Sequence, residues 1–275
     1  MNRVWLVTGA NSGFGRAITE AAVAAGDVVV AAARRTSTLD DLVAAHPDQV
    51  ETVQLDVTDT PGIQSTVQDV VVRHGRIDVL VNNAGRGHVG AAEETSDAEL
   101  RSLFDVHVFG PAALVRAVLP HMRERRSGAI VQLSSMGGQM SFAGVSAYSA
   151  TKFALEGFSE ALATEVGPLG IKVLVVEPGS FRTGLMGGMS KSAEIADYAD
   201  TVGQSRRMME ASDGTQPGDP AKAAAAILTA LDAEQTPLRL PLGDDAVDAI
   251  LGHLDSVRAE ISRWEKVARD TALED

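Results

Sequence analysis

Apolar and polar positions along this chain repeat at two periods. Short runs rich in Val, Ile, Leu and Ala lie near 3–8, 28–33, 51–55, 78–82, 128–134, 171–176 and 238–241. Their nearly continuous apolar character predicts strands covered on both faces. Helical spacing of apolar residues marks 14–25, 38–45, 60–74, 97–125, 148–167, 219–232 and 245–270. Ser96 and Asp97 cap the long fourth helix and Gly128 follows its end. Pro111 and Pro120 inside that span are expected to bend or divide it. Strand and helix alternate without a break in composition. This predicts one α/β domain over 1–275: a Rossmann-like, doubly wound parallel sheet of about seven strands with helices on both faces. The last helix, 245–270, carries a stripe of Val247, Ile250, Leu251, Leu254, Val257, Ile261, Trp264 and Val267. Packing into the core is its default role, ahead of covering a pocket or meeting another subunit.

Composition acts mainly by exclusion. The 275 residues carry a net charge of −13, which argues against nucleic acid and anionic membranes as main partners. There is no cysteine, so disulfides and thiolate metal sites are ruled out. The six histidines are scattered without ligand spacing, and no metal is expected. The first strand starts almost at Met1, leaving no room for a leader. No apolar run reaches the roughly 20 residues of a membrane helix. A cytoplasmic protein acting on a small molecule is the expectation.

Two constellations carry chemistry. Gly9, Gly13 and Gly15 punctuate the segment between the first strand and first helix, with Asn11, Ser12 and Phe14 between them. Glycines there let the backbone approach a pyrophosphate, and unpaired N–H groups at the helix start face the anion. The spacing is one residue longer than the common dinucleotide fingerprint. The second constellation is Tyr148 with Lys152, one helical turn apart, and Ser135 thirteen positions before the tyrosine. A phenol has an unperturbed pKa of about 10. A cation within reach favours the phenolate, so that the tyrosine exchanges a proton with a carbonyl or hydroxyl oxygen.

Taken together, these motifs resemble those of the short-chain dehydrogenase/reductase family, in its short single-domain form, from about Val4 to Gly243. The resemblance implies a cofactor turn at Thr8–Gly15 and a catalytic trio of Ser135, Tyr148 and Lys152. It implies that Asp56, followed by Val57, meets the adenine ring, and that Asn83, Ala84 and Gly85 close the Asn-Asn-Ala-Gly segment after the fourth strand. Pro178, Gly179, Phe181 and Thr183 then hold the nicotinamide end, and Tyr148 and Lys152 also touch the cofactor. Family members are usually dimers or tetramers joined by two long helices, here near 97–125 and 148–167. One position departs from the pattern. His107 stands where many members carry an Asn that helps hold a water linking the lysine to solvent. It is counted with the catalytic residues, and three roles are open to it. It keeps the relay through its ring, leaves it to the backbone carbonyl, or adds a group that titrates near neutrality.

Cofactor choice is read at the end of the second strand. A carboxylate there favours NAD(H) by accepting from the ribose hydroxyls. That place falls at Ala33, and Arg34 and Arg35 follow, with Thr36 and Ser37 as further donors. A guanidinium fork suits a 2′-phosphate, so NADP(H) is preferred over NAD(H), with Arg16 a weaker candidate for the same phosphate. The segment 184–218 corresponds to the family's variable substrate lid. Its Met186, Met189, Met208 and Met209 suit a medium-sized, mostly apolar carbonyl or alcohol. His88, Val89, Met136, Gly137, Gly138, Met140 and Phe142 are further pocket candidates, and Lys191, Arg206 and Arg207 are candidates for a substrate anion. The expected reaction is carbonyl–alcohol interconversion by hydride transfer. A nucleotide-binding regulator or sensor without turnover is the alternative. An epimerase or dehydratase is disfavoured by the glycine spacing and the lack of a second domain.

Overall fold

The computed structural model describes residues 2–273. Val4–Thr8 (β1), Gly13–Ala24 (α1) and Val28–Ala33 (β2) form the first unit. Asp40–Ala45 (α2), Val50–Gln54 (β3), Thr60–His74 (α3) and Val79–Asn82 (β4) follow. His88–Val89 (β5), Asp97–Phe104 (α4), Gly110–Arg125 (α5) and Gly128–Leu133 (β6) come next. Ser146–Val166 (α6), Ile171–Pro178 (β7), Ser190–Lys191 (β8), Val202–Ser212 (α7), Pro220–Asp232 (α8), Arg239–Leu242 (β9) and Asp244–Arg269 (α9) complete the chain.

The main sheet has the order β3-β2-β1-β4-β6-β7-β9, and every pairing is parallel. Strand alternation sends Trp5 and Val7 into the core shared with α1 and α8, and Leu6 into the core shared with α3, α5 and α6. The winding direction reverses between β1 and β4, and a crevice opens there at the strands' carboxyl ends. A second sheet, which the sequence did not announce, pairs β5 with β8 through His88↔Ser190 and Val89↔Lys191.

The long fourth helix begins on a capping box. Ser96 Oγ accepts from Glu99 N, and Glu99 Oε2 accepts from Ser96 N at 2.8 Å. It divides at a π-helical turn, Asp105–Phe109, ahead of both prolines. Pro111 sits in the first turn of α5, while Pro120 is accommodated inside it. Having no N–H, Pro111 deprives the His107 carbonyl of its α-helical donor. Gly110 lets this corner touch the β3–α3 loop, since a Cβ there would lie 2.5 Å from Val57 O. Contrary to the sequence expectation, Asp97–Arg125 is long and apolar enough to span a membrane by length and composition. Its Leu114, Val115, Val118 and Met122 are instead spent on the core.

α9 corrects a second expectation. Only Ala246 and Ile250 of this helix are buried. The rest of the predicted core stripe is solvent-facing, with Leu251 57%, Ile261 64% and Trp264 59% exposed. From Leu251 onward the helix has left the body, so no core lies within its reach.

Candidate active site

A cavity of about 430 Å³ occupies the crevice. Gly9, Asn11, Ser12, Gly13 and Phe14 line its floor. The turn is tight for steric reasons. Gly9 has φ +63° and Gly13 φ +52°. A Cβ on Gly15 would lie 2.2 Å from Gly9 O, so Gly15 is the close-packing glycine behind the lining. The Ser12 side chain does not cap α1, leaving the first N–H groups of that helix available to an anion. Side chains stitch the turn to β4. Thr8 Oγ1 donates to Val81 O at 3.1 Å and accepts from Asn83 N at 3.0 Å and Ala84 N at 3.1 Å. Asn83 Nδ2 donates back to Thr8 O at 2.9 Å and Gly9 O at 3.1 Å.

At one end of the cavity stand Ala33, Arg34, Leu55, Asp56 and Val57. Asp56 Oδ1 accepts from Thr58 N at 2.9 Å and from Thr58 Oγ1 at 2.8 Å. The Thr58 N–H, the Thr58 hydroxyl and the nearby Arg34 charge hold its carboxyl below the usual range. Arg34 is exposed and forms no salt bridge among the described residues. Two expectations change here. Arg35 does not line the cavity, because the chain turns into a 3₁₀ turn at Thr36–Leu39 and Arg35 O accepts from Thr38 Oγ1 at 2.6 Å. Arg16 is engaged by Glu20 at 2.6 Å and Asp41 at 2.7 Å, and its fork is occupied.

At the other end Asn83, Ala84, Gly85, His107, Ser135, Tyr148, Lys152, Pro178, Gly179, Phe181 and Thr183 converge. Ser135 follows β6 by two residues, and its hydroxyl accepts from Gly137 N at 3.1 Å and favours the ionised form of the Tyr148 phenol. Tyr148 is half-buried, and desolvation pushes its phenol up, against the opposing Ser135 bond. Lys152 is buried and donates from Nζ to Leu133 O at 2.8 Å. Burial pulls its pKa down to about 8, with Glu156 one turn further along opposing. The expected depression of the tyrosine by the lysine gives way to a rise: burial pushes the phenol up, and the group that opposes it is Ser135. Glu156 and Glu177 share a buried cluster with Arg239 behind the lysine, and Glu177 is pushed up to about 7 by burial and by Glu156. The loop carrying Phe181 and Thr183 is braced by Asp245, which accepts from Ser180 N at 2.7 Å, and by Phe181 against Phe14 at 5.1 Å.

His107 is 1% exposed at the π turn. Its Nε2 accepts from Arg86 N at 3.1 Å, which places the proton on Nδ1. Nδ1 then donates at 2.8 Å to Thr151 Oγ1, which itself donates to Tyr148 O at 2.7 Å. Burial, then Lys152 and Arg86, hold the imidazole well below its ordinary pKa. The ring does not titrate near neutrality, and it meets Tyr148 only by an edge contact at 5.7 Å.

The segment 184–218 contributes Gly184, Leu185, Met186 and Gly188 to the lining. Met189 and Met209 pack with Val89, Val145 and Tyr148, while Met208 is exposed. A buried ion pair clasps the segment to the body. Arg206 meets Glu94 at 2.6 Å, and Glu94 also accepts from Ala91 N at 2.7 Å and Ile195 N at 2.8 Å. Lys191 pairs with Glu210, so neither it nor Arg206 is free for a substrate anion. His88 is buried, with Nδ1 2.9 Å from Ser190 Oγ and Nε2 3.1 Å from Ser192 Oγ. It and Val89, like Met136, Gly137, Gly138, Met140 and Phe142, lie outside the cavity lining. Arg86 does line the cavity and was missed by the sequence reading. A charged residue directly after the strand-end segment Asn82–Gly85 was the available signal.

The family described as short chain dehydrogenase matches residues 3–194. An oxidoreductase of Botryotinia fuckeliana, BOA17, is 36% identical over 99% of this chain and 100% of its own length. A 3-ketodihydrosphingosine reductase of Bacteroides thetaiotaomicron is 36% identical over 88% of each chain. The crystal structure of a short-chain dehydrogenase from Streptomyces avermitilis shares 64% identity, with TM-score 0.95 over 99% of this chain and 100% of that one. A serine dehydrogenase complexed with NADP+ (27% identity, TM-score 0.75) covers 87% of this chain and 94% of its own. A Burkholderia phymatum relative in complex with NAD (22% identity, TM-score 0.84) covers 94% and 95% and shares the fold.

Proposed function

The chain belongs to the short-chain dehydrogenase/reductase family of oxidoreductases, and from that premise we propose that it is an NADP(H)-dependent enzyme interconverting a medium-sized, mostly apolar ketone or aldehyde with its alcohol. The observation that carries the reading is one cavity with Ser135, Tyr148 and Lys152 at one end and the glycine turn with Arg34 at the other. A dinucleotide fits this crevice: a tight glycine turn that keeps Gly9 and Gly13 at positive φ along its floor, uncapped N–H groups for a pyrophosphate, and a guanidinium where a 2′-phosphate would lie. NADP(H) is favoured over NAD(H) because Ala33 supplies no carboxylate for the ribose.

When bound, the cofactor supplies the hydride. This chain supplies position and a proton. Ser135 holds the substrate oxygen beside Tyr148. The raised pKa of Tyr148 keeps the phenol protonated near neutrality, so in reduction it donates to the forming alkoxide. Lys152 stands one turn behind it as a cation at neutral pH. The His107 ring has both nitrogens engaged, so the proton path runs past it and uses its backbone carbonyl. The segment 184–218 acts as the substrate lid. Its Met186, Met189 and Met209, together with a 36%-identical relative named for reducing 3-ketodihydrosphingosine, favour an apolar carbonyl substrate.

The test is NADPH and NADH oxidation with a panel of ketones and aldehydes, 3-ketodihydrosphingosine included, with Tyr148→Phe alongside. NADPH-linked turnover that disappears in the variant supports the reading. Turnover with NADH alone overturns the cofactor assignment. NADPH binding without turnover of any carbonyl moves the sensor alternative ahead.

A further inference from the structure

From Leu251 onward α9 runs free of the body for about 28 Å at 1.5 Å per residue. Leu251, Leu254, Ile261, Trp264 and Val267 are each more than half exposed. Helices in proteins owe most of their stability to a packed apolar face, and a contiguous exposed stripe marks an interaction surface. The stripe is a regular one. Val247, Ile250, Leu254, Val257, Ile261 and Trp264 are separated alternately by three and four residues, the seam of a coiled coil.

Charge along the helix selects the occupant. Asp244, Asp245, Asp248 and Asp255 precede any lysine or arginine of α9, whereas in its second half Arg258, Arg263, Lys266 and Arg269 outnumber Glu260 and Glu265. The helix dipole accounts for the first and last turns only, and Asp248, Asp255, Arg258 and Arg263 lie inside them. An antiparallel copy sets each acidic half against a basic half. With Leu254 against Val257 of the second copy, Trp264 meets the half-exposed Val247 and His253 comes beside Glu260. A parallel pair sets Glu260 against Glu265 of the second copy, like against like. An anionic membrane is disfavoured by the acidic half.

We propose that α9 is a self-association arm, and that its apolar face is covered by the α9 of a second copy of this chain running antiparallel.

The chain has no cysteine, so one introduced thiol reports alone. Leu254→Cys lies near the two-fold axis of this arrangement and is expected to cross-link between copies with a short bismaleimide. Trp264→Cys is expected not to, because antiparallel arms hold the two thiols about 25 Å apart along the axis. Leu254→Glu/Ile261→Glu in the full-length chain is expected to halve the particle mass by light scattering, with an unchanged circular dichroism spectrum, since both positions are solvent-facing. Cross-linking through Trp264→Cys overturns the antiparallel pairing. An unchanged mass in the double variant overturns the arm. Flotation of the parent, but not the double variant, with phosphatidylserine vesicles overturns it in favour of a lipid surface.

Discussion

Glu94→Ala unfastens the segment 184–218 without touching the cavity wall. In the parent, Arg206 and Glu94 side chains are 6% and 2% exposed and pair at 2.6 Å. Removing one partner of a buried pair costs about 3–5 kcal/mol, because the other charge is left uncompensated. Arg206 would retain Ser192 O at 3.1 Å and Glu194 at 3.2 Å, and Glu194 is 75% exposed. Water therefore reaches the edge of the pair and the lower end applies, about 3 kcal/mol, or a roughly 150-fold rise in the open population. The N–H groups of Ala91 and Ile195 lose their acceptor as well, so opening is preferred to an unsatisfied closed state. Hydrogen exchange reads this directly. Amides of β8 and of Ile195 should exchange faster by about that factor, with β1 and β4 unchanged as internal controls. The KM for the carbonyl should rise more than that for the cofactor. Glu94→Ala/Arg206→Leu, which removes both charges, should recover part of the protection. Uniform acceleration across β1 and β4, or a double variant worse than the single, would refute the clasp.

Three further outcomes follow from the site. Arg34→Ala should raise the KM for NADPH about tenfold and leave NADH nearly unchanged, since an exposed charge-assisted contact is worth about 1.5 kcal/mol; equal losses for both cofactors would count against the 2′-phosphate assignment. Lys152 has a folded pKa of about 8, below the ordinary 10.5, so the folded state binds fewer protons between those values and stability rises with pH across that window; thermal melts of Lys152→Met should lack that rise. His107→Leu and Thr151→Val should lower kcat to similar extents without moving the pH profile, because both break the same chain of bonds to Tyr148 O; a pH shift in His107→Leu alone would restore a proton-carrying role to the ring.

The strands were legible because each is nearly all apolar and punctuated by turn residues. β3, for example, was expected at 51–55 and runs Val50–Gln54. Tyr148 and Lys152 could be located because they stand one helical turn apart, and the glycine turn because it follows an apolar strand; Ser135 was placed by the resemblance to the family's motif. What escaped was decided by long-range partners. Nothing near Arg206 in sequence announces Glu94, more than a hundred residues away, and without that partner Arg206 reads as an anion-binding residue. Arg16 and Arg34 are both cation candidates in sequence, and Asp41, brought alongside by α2, joins the local partner Glu20 in engaging Arg16. The stripe of α9 was read correctly as one face but assigned to the core, because periodicity states which residues lie together and not what they face.

The two ends of the cavity are held by different physics, and this bears on which end can vary. The dinucleotide end is fixed by central strands whose ends are joined through side-chain bonds to main chain. β1 and β4 are central strands, and Thr8 and Asn83 tie their ends together with bonds of 2.9–3.1 Å. A substitution there must displace main chain, as a Cβ on Gly15 would displace Gly9 O. The substrate end is fixed by side chains: the Glu94–Arg206 pair, the two-residue β5–β8 ladder, and the His88 contacts to Ser190 and Ser192. None of these contacts belongs to a strand of the main sheet. The ties at the cofactor turn and the clasp on the segment 184–218 therefore share no residue. Asp245 links the two regimes. It stands on the first turn of α9 and fixes Ser180, beside the Phe181 ring that packs on Phe14 of the cofactor turn. Asp245 thus ties the base of α9 to the loop that carries Thr183.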